Sequence, residues 1–306
     1  MIITLDGGTT NTRLRLFDGA RLLGEAKSPV GSSSSDKTAL FAAVREMLAQ
    51  LLSQCGVSEK EIETVAVTGM ATSEFGLYEL PHLPAPCGLS ELRAGMKRVS
   101  LPQVTSIPLT VIPGVKNAPE DAPDLMRGEE VECIGICRKL GIESPAVLML
   151  PGTHNKLIRW DGARITACLT VMSGELIAAL KTGTILRSSL PQSLPETFDE
   201  AALKAGAALS AQAGLGTALF RVRAAAKAGQ MEEQALCGFF VGAVLEGDVR
   251  AAESFVGDLP VYVGGKEPLK SELCLLLKSR LTGTIIPVPD ETARLASSLG
   301  ALAVLE

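Results

Sequence analysis

At 306 residues the chain is long enough for two domains of ordinary size, each with its own core. Hydrophobic residues make up 46% and charged residues 21%, the balance of a soluble globular protein, and a net charge of −5 with no basic run argues against a nucleic-acid partner. No apolar run reaches the roughly 20 residues of a membrane span. No charged leader or cleavage site precedes the first strand, so a cytoplasmic protein with no membrane partner is expected.

The apolar run Met1-Ile2-Ile3 leads through Leu5 into Asp6-Gly7-Gly8-Thr9-Thr10-Asn11-Thr12-Arg13 and on to Leu14, Leu16 and Phe17. Two strands around a tight Gly/Thr/Asn turn predict a β-hairpin rather than a strand-to-helix turn. Adjacent glycines let the backbone approach an oxyanion, and Thr9, Thr10, Asn11 and Thr12 supply hydroxyl, amide and main-chain donors around it. Asp6, at the strand end, suits a Mg²⁺ held through water. No Gly-Lys-Ser/Thr follows, so this is not a Walker loop. An ordinary Asp-Gly hairpin is the alternative that these residues alone leave open.

Gly31 to Asp36 reads as a loop ending in a helix N-cap, and Leu40 to Gln54 carries helical apolar spacing closed by Cys55-Gly56. Thr64 to Thr68 is a β-branched run, hence a buried parallel strand, with a functional loop at Gly69-Met70. A Pro-rich stretch from Leu80 to Leu89 is irregular, Ile107 to Gly114 is another strand, and 115–126 is irregular. Arg127 to Leu140 is helical and ends at Gly141. Glu129 and Glu130 lie in its first turn, where the helix dipole alone is reason enough for acids. Cys133 and Cys137 share one face of that helix. In a chain of seven cysteines and two histidines they read as core packing and reduced thiols, not as a zinc site.

Ala146 to Leu150 predicts a strand followed by the turn Pro151-Gly152-Thr153-His154-Asn155-Lys156. Leu157 to Gly162 then repeats the strand-to-Asp-Gly pattern of residues 14–19. Two hairpins of one design imply two similar α/β lobes facing a nucleotide cleft, with a boundary between Gly141 and Pro145. The expected lobes are 1–143, carrying sugar and the first phosphate hairpin, and 144–306, carrying nucleotide. Trp160 reads as packing. Ser173 reads as a helix cap with Glu175 in the first turn. Residues 172–255 are mostly helical and rich in Ala and Leu. Pro260 to Val263 is a strand with a turn at Gly264-Gly265, and helices at 268–280 and 290–304 flank a strand at 283–287.

Five segments then stand in order: Asp6 to Asn11, Gly69-Met70, Met126-Arg127-Gly128-Glu129-Glu130, Pro151 to Lys156, and Thr170 to Leu176. Together they resemble the 2-dehydro-3-deoxygalactonokinases, sugar-acid kinases of the sugar kinase/Hsp70/actin superfamily. Leu157, where an aromatic is expected, and the divergent loop Ala71 to Leu77 are departures from that pattern.

The resemblance implies two actin-like ATPase (ribonuclease H-like) lobes with an interlobe nucleotide cleft. It implies ATP-dependent phosphorylation of the C6 hydroxyl of 2-dehydro-3-deoxy-D-galactonate, with ATP and Mg²⁺ as cofactors. The phosphates would be cradled by Gly7, Gly8, Thr9, Thr10, Asn11 and by Gly152, Thr153, His154, Asn155, with Asp6 on the metal. Gly264 and Gly265 would leave a slot for adenine. One of Glu129 and Glu130 would be the base, with a lean to Glu130, since neighbours on a helix point about 100° apart. Gly69 and Met70 would face the sugar, and Arg127, Lys156 or Arg13 its carboxylate. The partner would be a small-molecule sugar acid, and the superfamily often forms homodimers. Other readings of the same residues are a kinase for a different sugar acid or a hexose, a phosphohydrolase, and a nucleotide-switched binding protein.

Overall fold

The computed structural model describes residues 1–33 and 37–306, so the helix-cap reading of Asp36 lies outside the described residues. The chain divides into two compact units. One comprises Met1–Ser144, Trp160–Cys168 and Glu291–Glu306, and the other Pro145–Arg159 and Leu169–Asp290. The N-terminal unit therefore takes in two later segments that a single cut at 143/144 assigns to the C-terminal half.

In the N-terminal unit β1 (Ile2–Gly7), β2 (Thr12–Asp18) and β3 (Arg21–Ser28) form an antiparallel meander, and α1 (Thr38–Cys55) returns the chain to β4 (Thr64–Gly69). β4 lies parallel to β1, with Asp6 opposite Thr68 and Gly7 opposite Gly69. All six residues of β4 are buried, as a parallel strand covered on both faces requires. Leu40, Val44, Met47, Leu48 and Leu51 form the inward stripe of α1 over Ile3, Leu5, Leu14 and Leu16. Gly56, left-handed at φ 65°, ends the helix by donating to the Leu52 and Ser53 carbonyls.

Within the stretch expected to be irregular lie the two-residue strands β5 (Leu83–Pro84) and β6 (Cys87–Gly88), before α2 (Leu89–Gly95). β7 (Lys97–Val99) and β8 (Leu109–Val111) complete the six-stranded sheet, in the order β3-β2-β1-β4-β8-β7. The segment 115–126, expected to be irregular, is bracketed by the antiparallel pair β9 (Val115–Lys116) and β10 (Leu125–Met126). Asn117 closes it, its backbone N–H donating to Asp124 O at 2.9 Å and its side chain to Ala122 O at 2.8 Å. α3 (Glu129–Leu140) follows, with Cys133 and Cys137 both buried.

The C-terminal unit is built on β11 (Ala146–Leu150), β12 (Asn155–Trp160) and β13 (Arg164–Val171), although 160–168, the end of β12 and the first part of β13, belongs to the N-terminal unit. Trp160 is buried and donates from its indole to Ile142 O at 3.0 Å, the packing role its sequence context predicts. Helices α4 (Ser173–Gly183), α5 (Glu200–Ala213), α6 (Leu215–Ala228) and α7 (Glu233–Val256) come next. β14 (Val261–Val263), α8 (Leu269–Lys278), β15 (Ile285–Pro287) and α9 (Asp290–Leu305) end the chain, α9 lying almost wholly in the N-terminal unit. The strand order is β15-β14-β11-β12-β13-β6, with β14 parallel to both β11 and β15 and β6 antiparallel to β13. α7 carries the core, and α5 crosses it closely because Gly206 and Gly242 present no side chain to the Phe239 and Leu203 carbonyls. Among the described residues no helix is long and apolar enough to cross a membrane.

Candidate active site

In the N-terminal unit the ends of β1 and β4 bring together residues far apart in the chain. Asp6, at the end of β1, accepts from Ser297 Oγ at 3.4 Å. A Cβ at Gly69 would stand 3.2 Å from Asp6 Oδ1, so this side of the carboxylate is open only because residue 69 is glycine. Gly128 packs on the same point: its own Cβ would lie 3.1 Å from Gly69 Cα. With φ at 114°, Gly128 takes a backbone shape that a side chain would oppose, and it launches α3 there.

Glu130 lies beside this junction, fully buried at 0% exposure. Both its oxygens accept from Gly128 N, at 2.9 and 2.8 Å. Burial pushes its carboxyl up to about 8, and the like charge of Glu129 adds to that. The backbone bonds and the Arg127 guanidinium pull the other way. Glu129 points elsewhere, accepting from Arg127 N at 3.0 Å, and is only half-buried. Of the two acids, Glu130 alone has the buried, proton-retaining environment of a tuned acid–base group.

Arg127 is committed to protein acceptors. Nη1 donates to Thr72 O and Thr72 Oγ1, both at 2.7 Å, and Nη2 donates to Leu80 O at 2.9 Å and lies 3.2 Å from His82 Nδ1. It thus pins the segment after Met70 to the start of α3. Met70 opens a 3₁₀ turn whose Ala71 packs against Gly7. Arg13 stands opposite Asp6 in the β1–β2 ladder, and its Nε is buried with no hydrogen-bond partner among the described residues. The hairpin tip is closed by Gly8 N donating to Asn11 O at 2.8 Å. Thr9, Thr10 and Asn11 are exposed, and Asn11 Nδ2 donates to Thr10 Oγ1 at 2.9 Å.

In the C-terminal unit the turn Pro151–His154 joins β11 to β12. Gly152, Thr153 and His154 are exposed, and Asn155 is fully buried. Asn155 Oδ1 accepts from Gly152 N at 2.8 Å, and Asn155 Nδ2 donates to Asp248 Oδ1 at 2.8 Å. His154 Nε2 lies 2.6 Å from Glu175 Oε2, and Glu175 N donates to Thr153 O at 2.8 Å. A Cβ at Gly174 would overlap the Gly152 carbonyl oxygen, so the first turn of α4 presses directly on the turn. Lys156 is buried, its Nζ donating to Thr170 Oγ1 at 2.6 Å. Gly264 N donates to Met149 O at 2.8 Å. Gly265, at φ 80°, abuts Pro151, whose Cγ would be 2.6 Å from a Cβ there.

The expected cap at Ser173 is corrected by these contacts. Met172 holds the N-cap position with no side-chain cap bond, and Ser173 Oγ donates to Asp248 Oδ2. A buried carboxylate is the stronger acceptor available to it. Asp248 itself went unread in the sequence. The available signal was a pair of acids, Glu246 and Asp248, within the otherwise apolar run Gly238 to Val249 of a helix.

Among the described residues no three His, Cys, Asp or Glu side chains cluster as a metal cage. A single open carboxylate such as Asp6 nonetheless fits a Mg²⁺ whose other ligands are phosphate oxygens and water.

Residues 6–289 match the family model described as 2-keto-3-deoxy-galactonokinase. The 2-dehydro-3-deoxygalactonokinase of Escherichia coli (strain K12) is 28% identical over 261 residues, covering 83% of this chain and 81% of that protein. A Rhizobium meliloti (strain 1021) protein, provisionally named 2-dehydro-3-deoxygalactonokinase DgoK1, is 32% identical over 196 residues. That match spans 63% of this chain and 60% of the relative's length. Among solved structures, a Sinorhizobium meliloti protein provisionally assigned as a 2-dehydro-3-deoxygalactonokinase superposes with a TM-score of 0.81 at 23% identity, over 99% of this chain and 96% of that one. The activator of 2-hydroxyisocaproyl-CoA dehydratase from Clostridium difficile, with bound ADPNP, superposes with a TM-score of 0.55 at 13% identity, over 99% and 93%. The fold is the α/β fold of actin-like ATPases and sugar kinases, and the chain belongs to the 2-keto-3-deoxy-galactonokinase family of sugar-acid kinases.

Proposed function

We propose that the protein transfers the γ-phosphoryl group of ATP to the C6 hydroxyl of 2-dehydro-3-deoxy-D-galactonate, giving the 6-phosphate and ADP. The observation that carries the chemistry is Glu130, a buried carboxyl with its pKa at about 8, set beside the glycine junction that also bears Asp6. Phosphoryl transfer asks the protein mainly to position the groups and share their charge. In this reading Glu130 orients the acceptor hydroxyl and takes its proton as the new P–O bond forms.

The Gly7–Asn11 hairpin offers main-chain and hydroxyl donors to phosphate in the N-terminal unit. The Gly152–Asn155 turn does the same in the C-terminal unit, where the main chain at Gly264 and Gly265 is assigned to the adenine. Asp6 would hold Mg²⁺, which supplies charge neutralisation on the phosphates when bound. Arg127 and Lys156 already serve acceptors within the protein, so Arg13, with its unpartnered Nε, is the cation assigned to the substrate carboxylate. Gly69 and Met70 line the sugar side, and Arg127 fixes the shape of the loop that follows.

A coupled ADP-release assay with a panel of 2-keto-3-deoxy sugar acids beside neutral hexoses tests the reading. Turnover of 2-dehydro-3-deoxy-D-galactonate well above the others is expected, with little ATP hydrolysis in its absence. Turnover of hexoses and none of the acids would overturn the substrate. Phosphate release independent of any sugar would overturn the kinase.

A further inference from the structure

Asp248 is an acid in the centre of the C-terminal core that the chemistry above does not use. It sits on α7 between Gly247 and Val249, at 0% exposure. Taking a carboxylate that far from water is costly unless every oxygen is bonded. Both are: Oδ1 accepts from Asn155 Nδ2, and Oδ2 from Ser173 Oγ. Asn155 follows the exposed turn directly at the start of β12, and Ser173 is the first residue of α4, whose next residue, Gly174, seats on the Gly152 carbonyl.

Asn155 does not stop at Asp248. Its other amide atom holds Gly152 N, so the carboxylate orders the turn at one remove. The Asn155 amide cannot flip without placing an N–H against Gly152 N. Asp248, as an acceptor only, fixes which way it faces. The same two elements meet again through Glu175 N on Thr153 O and the tight seat of Gly174 on the Gly152 carbonyl.

We propose that Asp248 is a positioning residue for nucleotide binding: through Asn155 and Ser173 it fixes the Gly152–Asn155 turn against the first turn of α4 and so sets the direction of the turn's phosphate-facing N–H groups. This rests on the reading of that turn as a phosphate cradle. Packing alone would have been met by an apolar residue at 248. The polar link is what transmits order from the core to an exposed turn.

The test uses the full chain with Asp248→Asn, which keeps the volume and one acceptor, and Ser173→Ala, which leaves Asp248 in place. ATP and ADP affinity, KM for each substrate, and amide hydrogen exchange at Gly152 and Thr153 are measured together. For Asp248→Asn a rise of tenfold or more in KM for ATP is expected. KM for the sugar acid should change by less than twofold, and exchange at Gly152 should quicken; Ser173→Ala should move in the same direction by less.

Unchanged exchange at Gly152, or unchanged nucleotide affinity in a variant whose exchange has quickened, would overturn the inference. So would equal losses for both substrates with a lowered melting temperature, the mark of a merely structural acid. Failure of the wild-type chain to bind ATP or ADP would instead overturn the phosphate reading of the turn, and this inference with it. Intact wild-type binding beside an indifferent variant overturns this inference alone.

Discussion

Glu130 sets the pH behaviour of the proposed reaction and part of the pH behaviour of the fold. As a base it must first lose its proton, so kcat/KM should rise with pH through about 8 instead of levelling off in the usual carboxylate range. Glu130→Gln should cut kcat by about 10²–10⁴-fold and leave nucleotide affinity unchanged. The linkage to stability runs the same way. The folded chain holds this proton up to about pH 8 and the unfolded chain only to about 4.5, so the folded state is favoured at low pH. That contribution is lost as pH rises between those two values, and Glu130→Gln, which has no proton to lose, should melt higher than wild type at pH 8.5. A wild-type melting curve that climbs with pH across this window in step with the variant would refute the assignment.

Arg127 makes a separate case. Removing its guanidinium leaves the Leu80 carbonyl without its donor, at about 1–3 kcal/mol for an unsatisfied buried group, while the Thr72 carbonyl keeps the Leu80 N–H. Arg127→Ala should therefore lower chemical-denaturation stability by that order and raise KM for the sugar acid more than KM for ATP. Equal effects on both substrates would remove the loop from the sugar side. Asp6, Gly69 and Glu130 were all legible as candidates from their motifs. The division of labour between Glu129 and Glu130 was not, because it depends on which carboxylate the fold seals from water.

At the scale of elements, α3 is aimed by its crossing with α9. Gly300 faces the Val131 carbonyl, Gly135 faces that of Ala296, and in neither case is there room for a methyl group. Gly300→Ala must push α9 away from the first turn of α3, the turn that carries Glu130. Overpacking of this kind typically costs about 1–3 kcal/mol, and here a drop in kcat should accompany the lower melting temperature. A variant that melts lower at full activity would mean that the crossing supports the fold alone. Strands and helices with a clear hydrophobic period were readable: β1, β2, β4, α1 and α3 fall where their patterns predict. The short strands β6, β9 and β10 were not. Two-residue strands have no period, and they exist because a distant partner supplies the ladder.

For the whole molecule, the prediction is one of linkage. Each unit has its own core, one centred on β1, β4 and α1 and the other on α7. If ATP binds the folded chain and not the unfolded one, nucleotide at about 100 times its Kd should add about 2.7 kcal/mol. Calorimetric scans with and without nucleotide would read this directly, and an unmoved melting temperature would contradict the proposed function.

The local sequence determined the hairpins, the glycine turns, the helical faces and the family, because each of these is written in residues close along the chain. Tertiary structure alone decided which acid is buried, which cation is already spent on the protein, and that Asp248 reaches across more than ninety positions to Asn155. Burial and hydrogen-bond partners arise between elements, and no window of sequence contains both sides of such a contact.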